Sequence, residues 1–332
     1  MTPFRFAHDA SRLLETGSVR EDVSCGDTSQ QAGFLFWRKL HTMADNVEMR
    51  RSATTLGRQI LNKVPEVTIY FWIIKVLCTT VGETAADFLN TNLNLGLTGT
   101  TYVMGALLLL ALVFQFRSRT YVPSVYWLNV VLISIVGTLI TDNLTDNFGV
   151  SLVTTTIVFS IALAVVFMAW FASEQTLSIH SIYTARREAF YWLAVLFTFA
   201  LGTAAGDLVA ERLNLGYWRS ALMFAALIAI VTVAHLRFRL NAVLAFWIAY
   251  LLTRPLGASL GDYMSLPRDE GGLNLGTVGT SAIFLAAILA LVIYLTVTRT
   301  DAPATITTTA QDSTDGAGLP GGYPGTELTT DR

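Results

Sequence analysis

From about Val67 to Val297 the chain alternates apolar runs near 20 residues long with short polar connectors. A helix of that length crosses a hydrocarbon core of roughly 30 Å. Eight runs are legible, at approximately 67–89, 99–116, 124–144, 151–171, 188–209, 217–236, 241–262 and 277–297. They differ in pairs. The second run of each pair, such as GALLLLALVF or IFLAAILALVIYL, holds almost nothing ionisable, whereas the first carries Thr, Gly, Asp and aromatic residues. The pattern predicts an all-α polytopic membrane bundle of eight transmembrane helices. Its second helices face lipid or serve as scaffold, and any chemistry belongs to the first helices.

The pairing is a repeat. Trp72, Trp127, Trp192 and Trp247 are each followed ten residues later by a glycine (Gly82, Gly137, Gly202, Gly257). Five residues beyond each glycine stands an aspartate: Asp87, Asp142, Asp207, Asp262. An Asn-x-Gly follows in every copy, at Asn94, Asn147, Asn214 and Asn274. Successive tryptophans lie 55, 65 and 55 residues apart. Two nested duplications account for that: a two-helix unit doubled, then the four-helix product doubled again. The units are read as 63–119, 120–180, 181–239 and 240–298. Residues 1–62 read as a cytoplasmic extension, partly disordered. Residues 299–332, rich in Thr, Asp, Gly and Pro, read as a disordered cytoplasmic tail.

Composition supports the membrane reading. Residues are 53% hydrophobic and only 14% charged, with mean hydropathy +0.52, against about a quarter charged in soluble domains. The net charge of −2 matters less than its sorting. Arg117, Arg119, Arg186, Arg187, Arg237 and Arg239 lie between units, while the loops inside units hold only Arg212, Arg219 and Arg268, offset by Glu211, Asp269 and Glu270. The positive-inside rule then predicts cytoplasmic N- and C-termini and an outward-facing aspartate end. Each unit has an even number of spans, so all four insert with one polarity, and the pseudo-symmetry axis runs along the membrane normal, unlike inverted repeats. Cys25 and Cys78 suggest neither a disulfide framework nor a zinc site.

The candidate chemistry sits on the first helices. Trp to Asp spans about 22 Å at 1.5 Å per residue, and Asp falls about 60° round from Trp, so the two can share a face while Gly meets another contact surface. Gathered around an axis, the four helices set Asp87, Asp142, Asp207 and Asp262 near the mouth of a central cavity. Glu83 with Asp87, Asp142 with Asp146, and Asp207 with Glu211 are spaced to face the same way. Such oxygen sets suit hard divalent cations, with the Asn-x-Gly loops assisting, and acid rings select cations in pores. A structural account stands beside this. Trp serves as an interfacial anchor, Gly as a packing contact, and Asn-x-Gly as a turn needing positive φ. An acid within a membrane span is costly and reads first as functional. Two bases are not repeated. Lys75 and Arg254 are expected to pair with acids such as Glu83, Asp87 or Asp262, and Pro255 to kink its helix.

No Walker loop, H-E-x-x-H or G-x-S-x-G occurs, and His8, His41, His180 and His235 lack ligand spacing. The chain therefore reads as no enzyme, with no cofactor and no nucleic-acid partner. The four tandem two-span units, each with one tryptophan, resemble a bacterial membrane family defined by a four-fold repeat of unknown function. The resemblance covers about residues 63 to 298. It implies a bacterial inner-membrane protein and brings no established activity. The sequence-based expectation is a permease in the lipid bilayer for a small cationic solute, such as a divalent metal ion. Asp87, Asp142, Asp207, Asp262 and Glu83 form its site, and the reading is compatible with a homo-oligomer. The alternative is a non-transporting scaffold or sensor in which the same residues hold the bundle together.

Overall fold

The structure is a computed structural model that describes residues 62–92, 95–212 and 215–301, and Lys39 by itself. Among the described residues there are eight long helices: α1 Ile69–Asn92, α2 Gly96–Arg117, α3 Pro123–Asp142, α4 Leu152–Glu174, α5 Ala185–Asp207, α6 Tyr217–Phe238, α7 Ala242–Ser265 and α8 Gly276–Thr298. All eight are long and apolar enough to cross a membrane, and no strand occurs among the described residues. This is a multi-pass, all-helical membrane protein. The candidate extension and tail lie almost wholly outside the described residues.

Local chemistry sets the helix ends. Pro123 opens α3, where a missing N–H costs nothing. Ser151, Thr184 and Asn241 cap α4, α5 and α7 by accepting from backbone N–H groups one turn in. In all four Asn-x-Gly turns the glycine has positive φ: Gly96 at 67°, Gly149 at 70°, Gly216 at 72° and Gly276 at 71°. Only the absence of a Cβ makes that conformation cheap. No atom lies within 4 Å of a Cβ built on Gly149, so Gly149→Ala meets only the backbone penalty. Its expected effect is a loss of about 1–2 kcal/mol, read as an earlier midpoint in thermal denaturation of the detergent-solubilised protein.

The odd-numbered helices close into a ring, α1 on α3, α3 on α5, α5 on α7 and α7 back on α1. Each repeat glycine makes one of these contacts. A Cβ on Gly82 falls 1.7 Å from Ser134 Oγ of α3, one on Gly137 2.9 Å from Phe199 Cβ of α5, one on Gly202 2.5 Å from Arg254 Cβ of α7, and one on Gly257 1.9 Å from Thr79 Oγ1 of α1. The residue met is always the one seven places after the next unit's tryptophan. Within lipid, where helix association rests on close packing rather than on expelling water, small residues let backbones approach.

The tryptophans make the complementary contact. Each packs on the aromatic residue that precedes the previous unit's tryptophan: Trp127 on Phe71, Trp192 on Tyr126, Trp247 on Tyr191 and Trp72 on Phe246, with centroids 5.6, 5.4, 6.3 and 5.7 Å apart. Trp127, Trp192 and Trp247 are only 1%, 4% and 6% exposed. They are ring-closing core residues rather than interfacial anchors, because an adjacent helix covers them before lipid can.

The even-numbered helices form an outer layer with large exposed apolar surface, among it Leu109, Ile161, Ile230 and Leu289, the face a bilayer solvates. Their main partner is not the first helix of their own unit. α2 packs on α3, α4 on α5, α6 on α7, and α8 closes the circle on α1. The sequence repeat and the packing unit are thus offset by one helix. At the tryptophan end, Lys63 Nζ lies 2.7 Å from Glu188 Oε2, and Gln115 Nε2 donates to Glu188 Oε1 at 3.1 Å. Nearby, the Tyr121 hydroxyl donates to Asp301 Oδ2 at 2.5 Å. Burial raises the Asp301 carboxyl above its ordinary range while this hydrogen bond opposes the shift.

Candidate functional site

The ring's interior follows one row of residues four apart on each odd helix, the spacing that keeps side chains on one helical face. The row begins just before the tryptophan. In α1 it reads Phe71, Lys75, Thr79, Glu83, Asp87; in α3 Tyr126, Val130, Ser134, Thr138, Asp142; in α5 Tyr191, Val195, Phe199, Thr203, Asp207; and in α7 Phe246, Tyr250, Arg254, Ala258, Asp262. Apart from half-buried Phe246, every member short of the aspartates is buried, and the four aspartates are half-buried. The row thus stacks into layers of four along the axis.

The first layer is aromatic, tied by the Tyr126 and Tyr191 hydroxyls 2.5 Å apart. Above it the Lys75 ammonium lies over the Phe199 ring at 3.8 Å and the Tyr250 ring at 4.1 Å. Phe199 belongs to α5, diagonally across from α1, so Lys75 reaches through the centre. Lys75 is 1% exposed, and its Nζ has no hydrogen-bond partner. The expectation that it pairs with an acid is corrected: ring faces, whose quadrupoles attract a cation, take the carboxylate's place. The acids of its own helix, Glu83 and Asp87, lie two and three turns further along.

The next two layers hold an ion pair. Arg254 Nη2 lies 2.6 Å from Glu83 Oε2 and also donates to the hydroxyl of Thr138. Arg254 Nη1 donates to the Thr79 carbonyl at 3.4 Å, and Thr138 Oγ1 to Glu83 Oε2 at 3.4 Å. Arg254 is wholly buried and Glu83 8% exposed. Three helices therefore meet at one guanidinium, with α7 joined to diagonal α3 as well as to neighbouring α1. Helix α7 runs unbroken through Pro255, whose ring packs against Gly202 and Gly206.

The last layer is acidic. Asp142 feels the charges of Glu83, Asp207, Asp87 and Asp146; Asp262 those of Glu83, Asp87, Asp207 and Arg254; and Asp87 those of Glu83, Arg254 and Asp146. The four repeat aspartates are thus gathered at one end of the ring within Coulombic range. Among the described residues, no three His, Cys, Asp or Glu side chains come close enough to hold a metal ion. Asp146 is exposed and bonded by Thr145 at 3.0 Å; the side chain of Glu211 lies outside the described residues.

The asparagines serve turns where they are described. Asn147 Nδ2 donates to Thr98 Oγ1 at 2.8 Å, beside Asn143, which bonds Thr98 and Thr101. Asn274 sits at φ 62° and donates its N–H to Leu266 O. Asn94 and Asn214 lie outside the described residues. Sequence reasoning missed Thr138, Phe199 and Tyr250. The four-residue row through Lys75, Glu83 and Asp87, carried into the other units, would have found all three.

Comparison with known families adds one match. Residues 70–121, 125–176, 190–241 and 245–301 each match the family described as Repeat of Unknown Function (DUF347). No curated protein matches the chain, and no solved structure does.

Proposed function

The chain belongs to the family of this Repeat of Unknown Function, DUF347, and on that footing we propose that it is a permease for a small cationic solute, without enzymatic activity. The observation that carries the reading is that each repeat aspartate lies within Coulombic range of its neighbours around the ring, at the end next to the buried Arg254–Glu83 pair. Clustered carboxylates at a low-dielectric mouth concentrate cations. The arginine beneath presents the opposite charge and fills the axis, so the arrangement described is a closed form. A solute cation that engages Glu83 competes with Arg254, and release of the guanidinium is the step that opens the axis. Since no three carboxylates gather around one point among the described residues, the solute class favoured is an organic or hydrated cation; a divalent metal requires the acids to move together. On the positive-inside argument the aspartate end faces outward and the tryptophan end the cytoplasm, in a bacterial inner membrane.

Uptake into proteoliposomes tests this, with Mn2+, protons and ethidium as probes and trapped dyes as reporters. The expected result is uptake of at least one probe, reduced roughly tenfold or more when Asp87, Asp142, Asp207 and Asp262 are all changed to Asn. Equal uptake by the two proteins, or none by either, defeats the permease. A scaffold or sensor is the second reading, favoured by the filled axis. It expects no uptake by either protein and a lower thermal stability in the fourfold Asn variant, since in that reading the aspartates hold the bundle together.

A further inference from the structure

The four ring tryptophans are not covered alike. Trp247 is covered by Phe167 and Trp170 of α4, with centroids 4.9 and 5.9 Å away. Helices α4 and α6 are equivalent: Leu152 and Tyr217 open them 65 residues apart, the same interval as Trp127 to Trp192. The residues of α6 that match Phe167 and Trp170 are therefore Thr232 and His235. The matching positions of α2 are Leu112 and Gln115 and those of α8 Val292 and Leu295, so the ring pair is peculiar to α4; on α6 a hydroxyl and an imidazole stand there, and Trp72 is the one tryptophan of the four left only half-buried.

A half-open cavity of about 670 Å³ lies beside Trp72, between α6, α7, the start of α1 and the loop that precedes α5. Its volume falls in the range of about 300–1,000 Å³ usual for small-molecule sites. Trp72, Phe246, Ile228 and Val231 supply apolar wall, and His180, Thr232 and His235 the polar edge. Two of the polar groups are partly engaged: His235 Nδ1 bonds Leu240 O at 2.8 Å, and His180 Nε2 lies 3.2 Å from Glu66. His235 Nε2 is the ring nitrogen left to meet a ligand. Thr232 and Leu236 are exposed, Leu236 by 75%. The cavity thus opens on the surface of an outer helix that faces lipid. Exposed Arg237 and Arg239 follow His235 at the end of the same span, the level at which headgroups lie.

We propose that this cavity is a binding site for an anionic phospholipid, one acyl chain lying against Trp72, the headgroup phosphate bonded by His235 and drawn to that level by the positive charge of Arg237 and Arg239. Apolar walls with a lateral opening select a chain from the bilayer over a solute from water, and a basic edge at the span's end selects an anionic headgroup. The proposal does not depend on the permease reading.

Native mass spectrometry of the full chain, given phosphatidylglycerol or phosphatidylcholine after delipidation, tests it. The wild type retains phosphatidylglycerol about tenfold better. Thr232→Phe with His235→Trp, which installs the pair that α4 already carries, loses that retention without a lower Tm. Arg237→Ala with Arg239→Ala removes the preference between the two lipids. Should the filled variant misfold, quenching of tryptophan fluorescence by brominated-chain phosphatidylglycerol replaces it, and Trp72→Phe removes most of that quenching. Equal retention by the filled variant, no preference between lipids in the wild type, or quenching unchanged by Trp72→Phe overturns the proposal.

Discussion

Arg254→Met is expected to be among the most destabilising single changes in the core. The guanidinium is wholly buried and gathers Glu83, Thr138 and the Thr79 carbonyl from two other helices. Removing it leaves the Glu83 carboxylate buried without its counter-charge, a loss of about 3–5 kcal/mol where one partner of a buried pair is deleted. Glu83→Gln strands the guanidinium instead and falls in the same range. Changing both at once, to Glu83→Met with Arg254→Met, is expected to recover most of the loss, because a buried pair replaced by apolar groups of similar volume is often neutral or better. Thermal unfolding of the three variants in detergent, followed by the fraction remaining monodisperse, gives the comparison. A double variant no more stable than the worse single one would place the stabilisation outside the charge pair.

The second large effect lies in the ring glycines. Gly82→Ala and Gly257→Ala each drive a methyl into the neighbouring helix, 1.7 Å from Ser134 Oγ and 1.9 Å from Thr79 Oγ1, with backbone atoms of the same neighbour at 3.0 Å. Rotating the hydroxyl away does not suffice, since Ser134 Cβ is 2.4 Å and Thr79 Cβ 2.6 Å from the added carbon. The helices must part, and overpacking of this kind costs typically about 1–3 kcal/mol. A methyl added at Gly105 of α2 has nothing within 4 Å, so Gly105→Ala carries only the helix-propensity gain of up to about 1 kcal/mol. One substitution type thus has opposite signs at two sites, measurable as shifts of Tm in opposite directions. A loss at Gly105 equal to that at Gly82 would deny that the repeat glycine marks a helix contact.

Much of the architecture was legible along the chain. Eight spans follow from run length, since a bilayer demands about twenty apolar residues per helix. Four units follow from the spacing of Trp, Gly and Asp. The turn glycines at positive φ follow from Asn-x-Gly, because backbone sterics are local. The outer exposure of the second helices follows from their lack of anything polar to bury. Even the axial face was implicit, since residues four apart share a face on any helix.

Only the tertiary structure decided which neighbour each face meets. Spacing places Gly82 and Trp72 on α1, but not against Ser134 and Phe246, which belong to two different units on either side of it. Nor does it show that the second helix of a unit packs on the first helix of the next. Ring closure brings Arg254 to Glu83 across 171 positions of sequence and leaves Lys75 among rings rather than acids. A helix's own geometry fixes the direction of its side chains; the partner depends on the order and offset of helices around the axis, a property of the packed whole that periodicity within one segment does not encode.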